Sequence, residues 1–223
     1  MVQPQTLQFL SALKENNNKP WFDTNRKTYE TAKKNFAEVV QELIKGIEKF
    51  DKSIEEAQLE VKNCTFRINR DVRFSKNKDP YKTNFGASFS KGGKKAHSAG
   101  YYLQIDSSQC FLAGGIWMPE PDDLKKIRIE IDYNFDEING ILTTESFKKY
   151  FPNGLDRDAA TVRPPKGYDD ANPAIEFIKL KSFTASSIID SKEILKPNFT
   201  DTVLEGFTAM QPYIAFLNHA IEG

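Results

Sequence analysis

Hydrophobic residues recur at helical spacing in the first quarter of the chain. Three leucines spaced three residues apart predict a short amphipathic helix over residues 6–15. An Asn-rich breaker containing Pro20 follows, and a second helix is predicted from Asp23 to about Phe50. Its apolar residues recur every three or four positions, so one stripe faces a core and the charged side faces solvent.

After Val61 the pattern changes from helical spacing to alternation. Residues 64–74 alternate apolar and polar side chains, which predicts a strand, although Arg70 falls on the apolar side of the alternation. Three more strands are predicted at Asn84–Ser90, Gly100–Asp106 and Cys110–Trp117. Because the connections between them are short, an antiparallel meander is the expected topology.

The remainder of the chain is predicted to be mainly helical. Helices are expected over residues 122–133, 135–142, 145–150, 174–180 and 200–221, with a loop at 151–172 and a fifth strand at 182–189. The predicted class is therefore α+β, with an antiparallel sheet of four to five strands packed against long N- and C-terminal helices. We expect a single domain over residues 1–223, helical in 1–60, a basic sheet in 61–118, and helical with an irregular segment in 119–223.

The net charge of the chain is zero, but the charge is unevenly distributed. Residues 62–98 contain ten Lys or Arg side chains and only two Asp side chains. The residues before this segment are nearly balanced, and those after it carry an acidic excess. Such a concentration of positive charge indicates an anionic partner for residues 62–98.

The predicted strand at 64–74 offers the first candidate site. Arg67 and Arg73 would lie on one face of it, where alternate residues are about 6.6 Å apart. Two guanidinium groups at this spacing suit a phosphate or carboxylate, which arginine binds through paired hydrogen bonds. The alternative is that Asp71 and acidic residues from the helices neutralise these arginines.

The following loop, residues 75–83, offers the second candidate site. Its lysines at positions 76, 78 and 82 flank Tyr81, and cations beside an aromatic ring are typical of phosphate or nucleic-acid contacts. The alternative is a solvated hairpin loop. In a meander, this loop and the Lys91–Lys95 loop lie at opposite ends of the sheet, so we expect separate basic patches. That separation favours a compact anion site over a surface that tracks a nucleic-acid duplex.

The same segment supports a family resemblance. Residues 66–83, FRINRDVRFSKNKDPYKT, resemble a motif of the bacterial conserved hypothetical proteins grouped as domain of unknown function 2461. Matching stretches are Asn16–Trp21, Gly100–Leu103, Ala113–Pro119 and Pro165–Tyr168. Asn69 departs from the pattern, where an aromatic or other side chain is often found. The resemblance implies no established activity and transfers no catalytic roles.

The cysteine content and the absence of long apolar runs indicate where in the cell the protein is expected. Cys64 and Cys110 are the two cysteines, far apart and without a CxxC spacing, so neither a zinc site nor a disulfide framework is expected. The N-terminal residues lack the basic and apolar regions of a signal peptide, and no apolar run reaches membrane-spanning length. We therefore expect a cytoplasmic protein with no cofactor, no metal and no membrane contact.

The leading functional hypothesis is binding of a small phosphorylated or otherwise anionic ligand, without commitment to catalysis. The predicted ligand-binding residues are Arg67, Arg73, Lys76, Lys78, Tyr81 and Lys82. One alternative is a metal-independent phosphate-ester hydrolase with Asp71 as its general base. Another is a protein-interaction module for an acidic partner. Nucleic acid is a less favoured partner, and the sequence does not decide the oligomeric state.

Overall fold

The computed structural model describes the backbone of residues 1–223 and every side chain except that of residue 191. The helices are α1 (Pro4–Glu15), α2 (Lys19–Thr24), α3 (Arg26–Ile47), α4 (Lys52–Ala57), α5 (Val61–Cys64), α6 (Pro121–Tyr133), α7 (Phe135–Thr143), α8 (Glu145–Tyr150), α9 (Ile175–Ile178), α10 (Ser191–Ile194) and α11 (Phe199–Glu222). The strands are β1 (Asn84–Phe89), β2 (Gly100–Asp106), β3 (Cys110–Ile116) and β4 (Phe183–Ile189), and a 3₁₀ turn spans Gly93–Lys95.

The four strands form one antiparallel sheet in the order β1-β2-β3-β4. Strands that are neighbours in the sheet are also consecutive in sequence, and four helices, α6 to α9, lie between β3 and β4. Together with long helices near both ends of the chain, this confirms the predicted α+β class. The strands predicted near residues 84–90, 100–106, 110–117 and 182–189 all form.

The predicted strand at 64–74 is wrong. Cys64 ends α5, and the segment from Thr65 to Thr83 runs irregularly beside β1, touching it through a single bridge between Thr65 and Ala87. A second bridge, between Asn69 and Tyr81, closes the segment on itself.

Local hydrogen bonds explain why no regular ladder forms there. Asp71 accepts from the backbone N–H of Arg73 at 3.2 Å, and Asn77 accepts from that of Asp79 at 2.8 Å. Side chains that bond the backbone two residues ahead favour turns over strands. Pro80 also lacks the N–H that a ladder requires.

The predicted helix from residue 23 to residue 50 is divided in two. Asn18 caps α2 by accepting the backbone N–H of Trp21 at 3.0 Å, and the amide of Asn25 donates to the Trp21 carbonyl at 2.9 Å. Asn side chains readily bond nearby backbone groups, so they favour helix ends over helix interiors. Alternation and periodicity alone do not reveal this break.

The core lies on one face of the sheet. Phe89, Tyr101 and Leu112 point from that face and are fully or almost fully buried against the helices. α11 packs on β3, and α3 and α1 pack on β1 and β2. Even α11, the longest helix, and every other helix in the described chain lack the combination of length and apolar character needed to cross a bilayer.

Gly115 in β3 provides a test of this packing. Its φ is +119°, and a Cβ there would lie 1.9 Å from the carbonyl oxygen of Phe183 in β4. We expect Gly115→Ala to lower the free energy of unfolding by about 2 kcal/mol or more, from backbone strain and overlap. Chemical denaturation followed by circular dichroism measures the change.

Gly140 in α7 is the matched control, since an added Cβ there meets no atom within 4 Å. Gly140→Ala should raise the free energy of unfolding by about 0.5–1 kcal/mol, because alanine loses less backbone entropy in a helix. Equal effects of the two substitutions would contradict the described path of β3 against β4.

Candidate functional site

A basic groove of about 980 Å³ lies between α3, the segment after α5 and the start of β1. Its cationic lining residues are Lys33, Lys62, Arg67, Lys82, Lys94 and Lys95. The lining residues include no carboxylate, and the apolar part of the wall is formed by Tyr29, Phe36, Ala37, Val61, Phe66 and Phe85. We call this cavity the basic groove.

The backbone brings these cations together from four parts of the chain. Residues 61–70 run antiparallel to residues 81–95, so Arg67 lies near Lys82 while Lys62 lies beside the 3₁₀ turn. The Lys94 ammonium group donates to the Lys62 carbonyl. Gly93 has a φ of +67°, and a Cβ there would lie 2.8 Å from the Asn63 carbonyl oxygen, so glycine permits this close approach.

The structure thus corrects the expectation that the loops would form separate patches. That expectation rested on a strand at 64–74, which would have sent consecutive loops to opposite ends of the sheet. Because this segment instead folds along β1, Lys82 and Lys94 line one cavity. The grouping depends on tertiary contacts that alternation does not encode.

Arg67 and Lys82 are the central pair of the groove. Lys82 is half-buried, and its Nζ lies 5.2 Å from the centroid of the Phe66 ring. Burial lowers the pKa of Lys82, and the neighbouring charge of Arg67 lowers it further. These two cations therefore raise each other's electrostatic energy instead of being neutralised.

Carboxylates compensate only part of the groove's charge. Lys62 pairs with Glu60 at 2.7 Å, and Lys33 lies 3.8 Å from Glu30. Among the described side chains, Arg67, Lys82 and Lys95 form no ion pair. Arg67 therefore does not form the direct acidic ion pair that the neutralisation alternative requires.

Arg73, in contrast, is neutralised by an acidic residue. Its Nε and Nη2 donate to the two oxygens of Asp71 at 3.0 and 2.6 Å in an exposed pair outside the groove lining. This pairing lowers the pKa of Asp71, so the carboxylate is a weak base. Lys78 donates to the Val72 carbonyl at 3.0 Å, and Lys76 is exposed; neither lines the groove.

Tyr81 does not offer the stacking surface expected of it. Its side chain is 6% exposed, and its ring stacks on Phe22 at a centroid distance of 4.0 Å. The side chain of Asn17 bonds both the N–H and the carbonyl of Tyr81, at 3.1 and 3.0 Å. Tyr81 thus anchors the chain immediately before Lys82, and the exposed ring beside the cations is that of Phe66.

Lys33, Lys62, Lys94 and Lys95 are groove residues that the sequence-based site omitted. The local charge excess drew attention to the last three, which fall within residues 62–98. Lys33 lies in α3, where its position at the groove depends on how that helix packs on the segment near Arg67. A single charged residue on a charged helix face gives no sequence signal for this role.

Fold and groove together define an α+β protein with a one-sided antiparallel sheet and a basic groove, only partly compensated by carboxylates, at its β1 edge. The chain belongs to the family of conserved hypothetical proteins called domain of unknown function 2461 (DUF2461), whose family model matches residues 5–216. This confirms the resemblance seen in residues 66–83. Comparisons with curated proteins and with solved structures find no match.

The Arg67–Lys82 pair makes a testable electrostatic prediction. Arg67→Gln should raise the pKa of Lys82 because it removes the neighbouring like charge. Arg73→Gln should leave that pKa unchanged, because Arg73 is paired with Asp71 outside the groove. NMR titration of the Lys82 side chain measures both, and a Lys82 pKa insensitive to Arg67→Gln would contradict the described proximity.

Proposed function

We propose that the protein binds a small phosphorylated or otherwise anionic ligand in the basic groove. The observation that carries the proposal is the pair Arg67 and Lys82, which lie together without a carboxylate partner among the described side chains. Concentrating like charge in this way is unfavourable in the free protein. An oxyanion placed between the two groups would offset that cost and accept hydrogen bonds from both.

The surroundings of the pair favour a small ligand. A volume of about 980 Å³ lies within the usual range of small-molecule sites, and the wall beside Lys82 is aromatic. Partial exclusion of water near that wall strengthens charge–charge attraction relative to an open surface. The guanidinium of Arg67 would bind two oxygens of a phosphate or carboxylate, and Lys82 would contribute a point charge.

The remaining cations of the basic segment suit other roles. Arg73 and Lys78 have local partners on their own loop, so their contribution to an anion is secondary. Lys76 remains a candidate for longer-range attraction of the ligand. The hydrolase alternative loses support, because Asp71 is paired with Arg73 and lies outside the groove lining. Two buried, unbridged cysteines suit the proposed cytoplasmic location.

The proposal predicts specific losses of affinity. Pyrophosphate titrated by calorimetry at low ionic strength should bind the wild-type protein, and Arg67→Ala should weaken binding about tenfold or more, as expected for loss of charge-assisted hydrogen bonds. Lys82→Met should have a similar effect, since it keeps an unbranched side chain nearly as long as that of lysine while removing the charge. Added salt should weaken binding in the wild type.

Arg73→Ala is the matched control, because it removes an equally basic but paired residue outside the groove. Its affinity for pyrophosphate should stay within about twofold of wild type. Thermal unfolding shows whether each variant remains folded, and at equal concentration pyrophosphate should raise the melting temperature of Arg73→Ala more than that of Arg67→Ala. Absence of anion binding, with salt-sensitive capture of an acidic protein, would favour the interaction-module alternative instead.

A further inference from the structure

A second cavity, the sheet cleft, lies on the face of the sheet opposite the core and has a volume of about 690 Å³. Ser88, Tyr102, Ala113 and Ser186 stand opposite one another across the four strands and form one row of its floor. Three of these four side chains are small, so the floor leaves room for a ligand above the strands. The residues that alternate with them point into the core.

Aromatic rings form a continuous row in the cleft. The Phe66 and Tyr102 rings lie 6.2 Å apart, and the Tyr102 and Phe111 rings 5.7 Å apart, between centroids. Trp117 also lines the cleft and is 76% exposed. Tyr102 and Phe111 are partly exposed, and accessible aromatic rings on the open face of a sheet are a stacking surface suited to the flat faces of nucleobases.

Hydrogen-bonding groups gather at the β4 side of the cleft. Asp156 accepts the hydroxyls of Thr184 and Ser186, each at 2.8 Å, one on each carboxylate oxygen. Each oxygen retains capacity for another donor. Asp158 lines the same side, and neither carboxylate forms an ion pair within the described part of the chain. Base N–H groups and ribose hydroxyls are matching donors.

A further polar group in the cleft lacks a protein partner. The hydroxyl oxygen of Ser98 is buried and forms no hydrogen bond with any described side chain or backbone group. Leaving a buried hydroxyl unpaired costs free energy, and a hydrogen bond to a molecule bound in the cleft would offset that cost.

The basic groove and the sheet cleft adjoin. Phe66 and Lys94 line both cavities, and the Lys82 ammonium group lies against the Phe66 ring. The positive end is at the β1 edge of the sheet, and the carboxylates are at the β4 edge. Three inter-strand spacings, roughly 14 Å, separate these edges. A ligand crossing the junction therefore meets cations first, then aromatic rings, then hydrogen-bond acceptors.

We propose that the bound anion is a nucleotide, with its phosphates in the basic groove and its nucleoside in the sheet cleft. The base lies on the aromatic row, and Asp156 accepts hydrogen bonds from the nucleoside. This inference rests on the proposed function of the groove and adds the chemical class of the ligand. The phosphates and the nucleoside of a nucleotide follow one another in the same order as the cations, the aromatic rings and the hydrogen-bond acceptors across the sheet.

The acidic end of the cleft sets a limit on ligand length. In a nucleic-acid strand the next phosphate is attached to the 3′ oxygen of the ribose, and on the nucleoside side of the cleft it would approach Asp156 and Asp158, where like charges repel. A single nucleotide places its only anionic part in the groove and avoids that repulsion. The arrangement therefore favours a mononucleotide over an oligonucleotide.

The test compares ADP, GDP, CDP and UDP with pyrophosphate, ribose 5-phosphate and a single-stranded hexanucleotide, all by calorimetry at low ionic strength. At least one nucleoside diphosphate should bind about tenfold more tightly than pyrophosphate and ribose 5-phosphate, the gain expected from stacking one base. In a Trp21→Phe variant, Trp117 is the single remaining tryptophan, and the same diphosphate should quench its fluorescence.

Variants separate the two cavities. Trp117→Ala and Asp156→Asn should each weaken binding of the nucleoside diphosphate about tenfold, while the affinity for pyrophosphate stays within about twofold of wild type. Arg67→Ala should weaken binding of both the nucleoside diphosphate and pyrophosphate. Tyr133→Ala is the matched control, because it removes an 83% exposed aromatic ring that does not line the cleft. Trp117 is largely exposed, so its replacement should spare the fold.

The outcomes distinguish failure of this inference from failure of the groove. Arg67-dependent pyrophosphate binding with no tighter nucleotide would overturn the nucleotide assignment and leave the groove intact. Equal binding of ribose 5-phosphate, or diphosphate binding unaffected by Trp117→Ala and Asp156→Asn, would overturn it too. If the hexanucleotide binds more tightly than any nucleoside diphosphate, the mononucleotide assignment is overturned and the ligand is a nucleic-acid strand. Loss of all Arg67-dependent anion binding would instead remove the groove proposal.

Discussion

The arrangement of both cavities depends on how the segment after α5 lies against β1. One backbone hydrogen bond joins the segment to β1, from the Phe66 N–H to the Gly86 carbonyl at 3.0 Å. Two more close the segment on itself, from the Arg70 N–H to the Pro80 carbonyl at 2.9 Å and from the Lys82 N–H to the Ile68 carbonyl at 2.7 Å. They hold a basic, irregular segment in a defined path without making it a strand. Phe66, Arg67 and Lys82 are placed by this path.

Electrostatics then gives that placement its chemical character. The groove collects cations from α3, α5, the segment beside β1 and the 3₁₀ turn, while carboxylates stay outside its lining. Half-burial of Lys82 and the neighbouring charge of Arg67 disfavour the charged form of Lys82 and lower its pKa. Because the two cations repel each other, binding an anion between them lowers the electrostatic free energy substantially. The Arg73–Asp71 pair is already neutralised, so an anion there would lower it little.

The one-sided sheet provides the neighbouring cleft. Helices α1, α3 and α11 pack on one face, where Phe89, Tyr101 and Leu112 are buried, because side chains alternate between faces along each strand. The other face keeps small and hydroxyl-bearing side chains with a few rings above them. Period-two alternation therefore creates the core and the cleft together. Their junction at Phe66 and Lys94 exists because the basic segment borders the same sheet edge.

Sequence patterns alone determined the α+β class, four of the five predicted strands, the long terminal helices, the family and the basic character of residues 62–98. The family follows from the motif at residues 66–83, and the other features follow from local periodicity, turn residues and charge, which each short stretch of chain carries by itself. Only the tertiary structure decided that residues 65–83 form no strand, that Tyr81 is buried, and that Lys33 and Lys94 share a groove with Arg67. Those outcomes depend on contacts between residues far apart in sequence, whose free energies no local pattern contains.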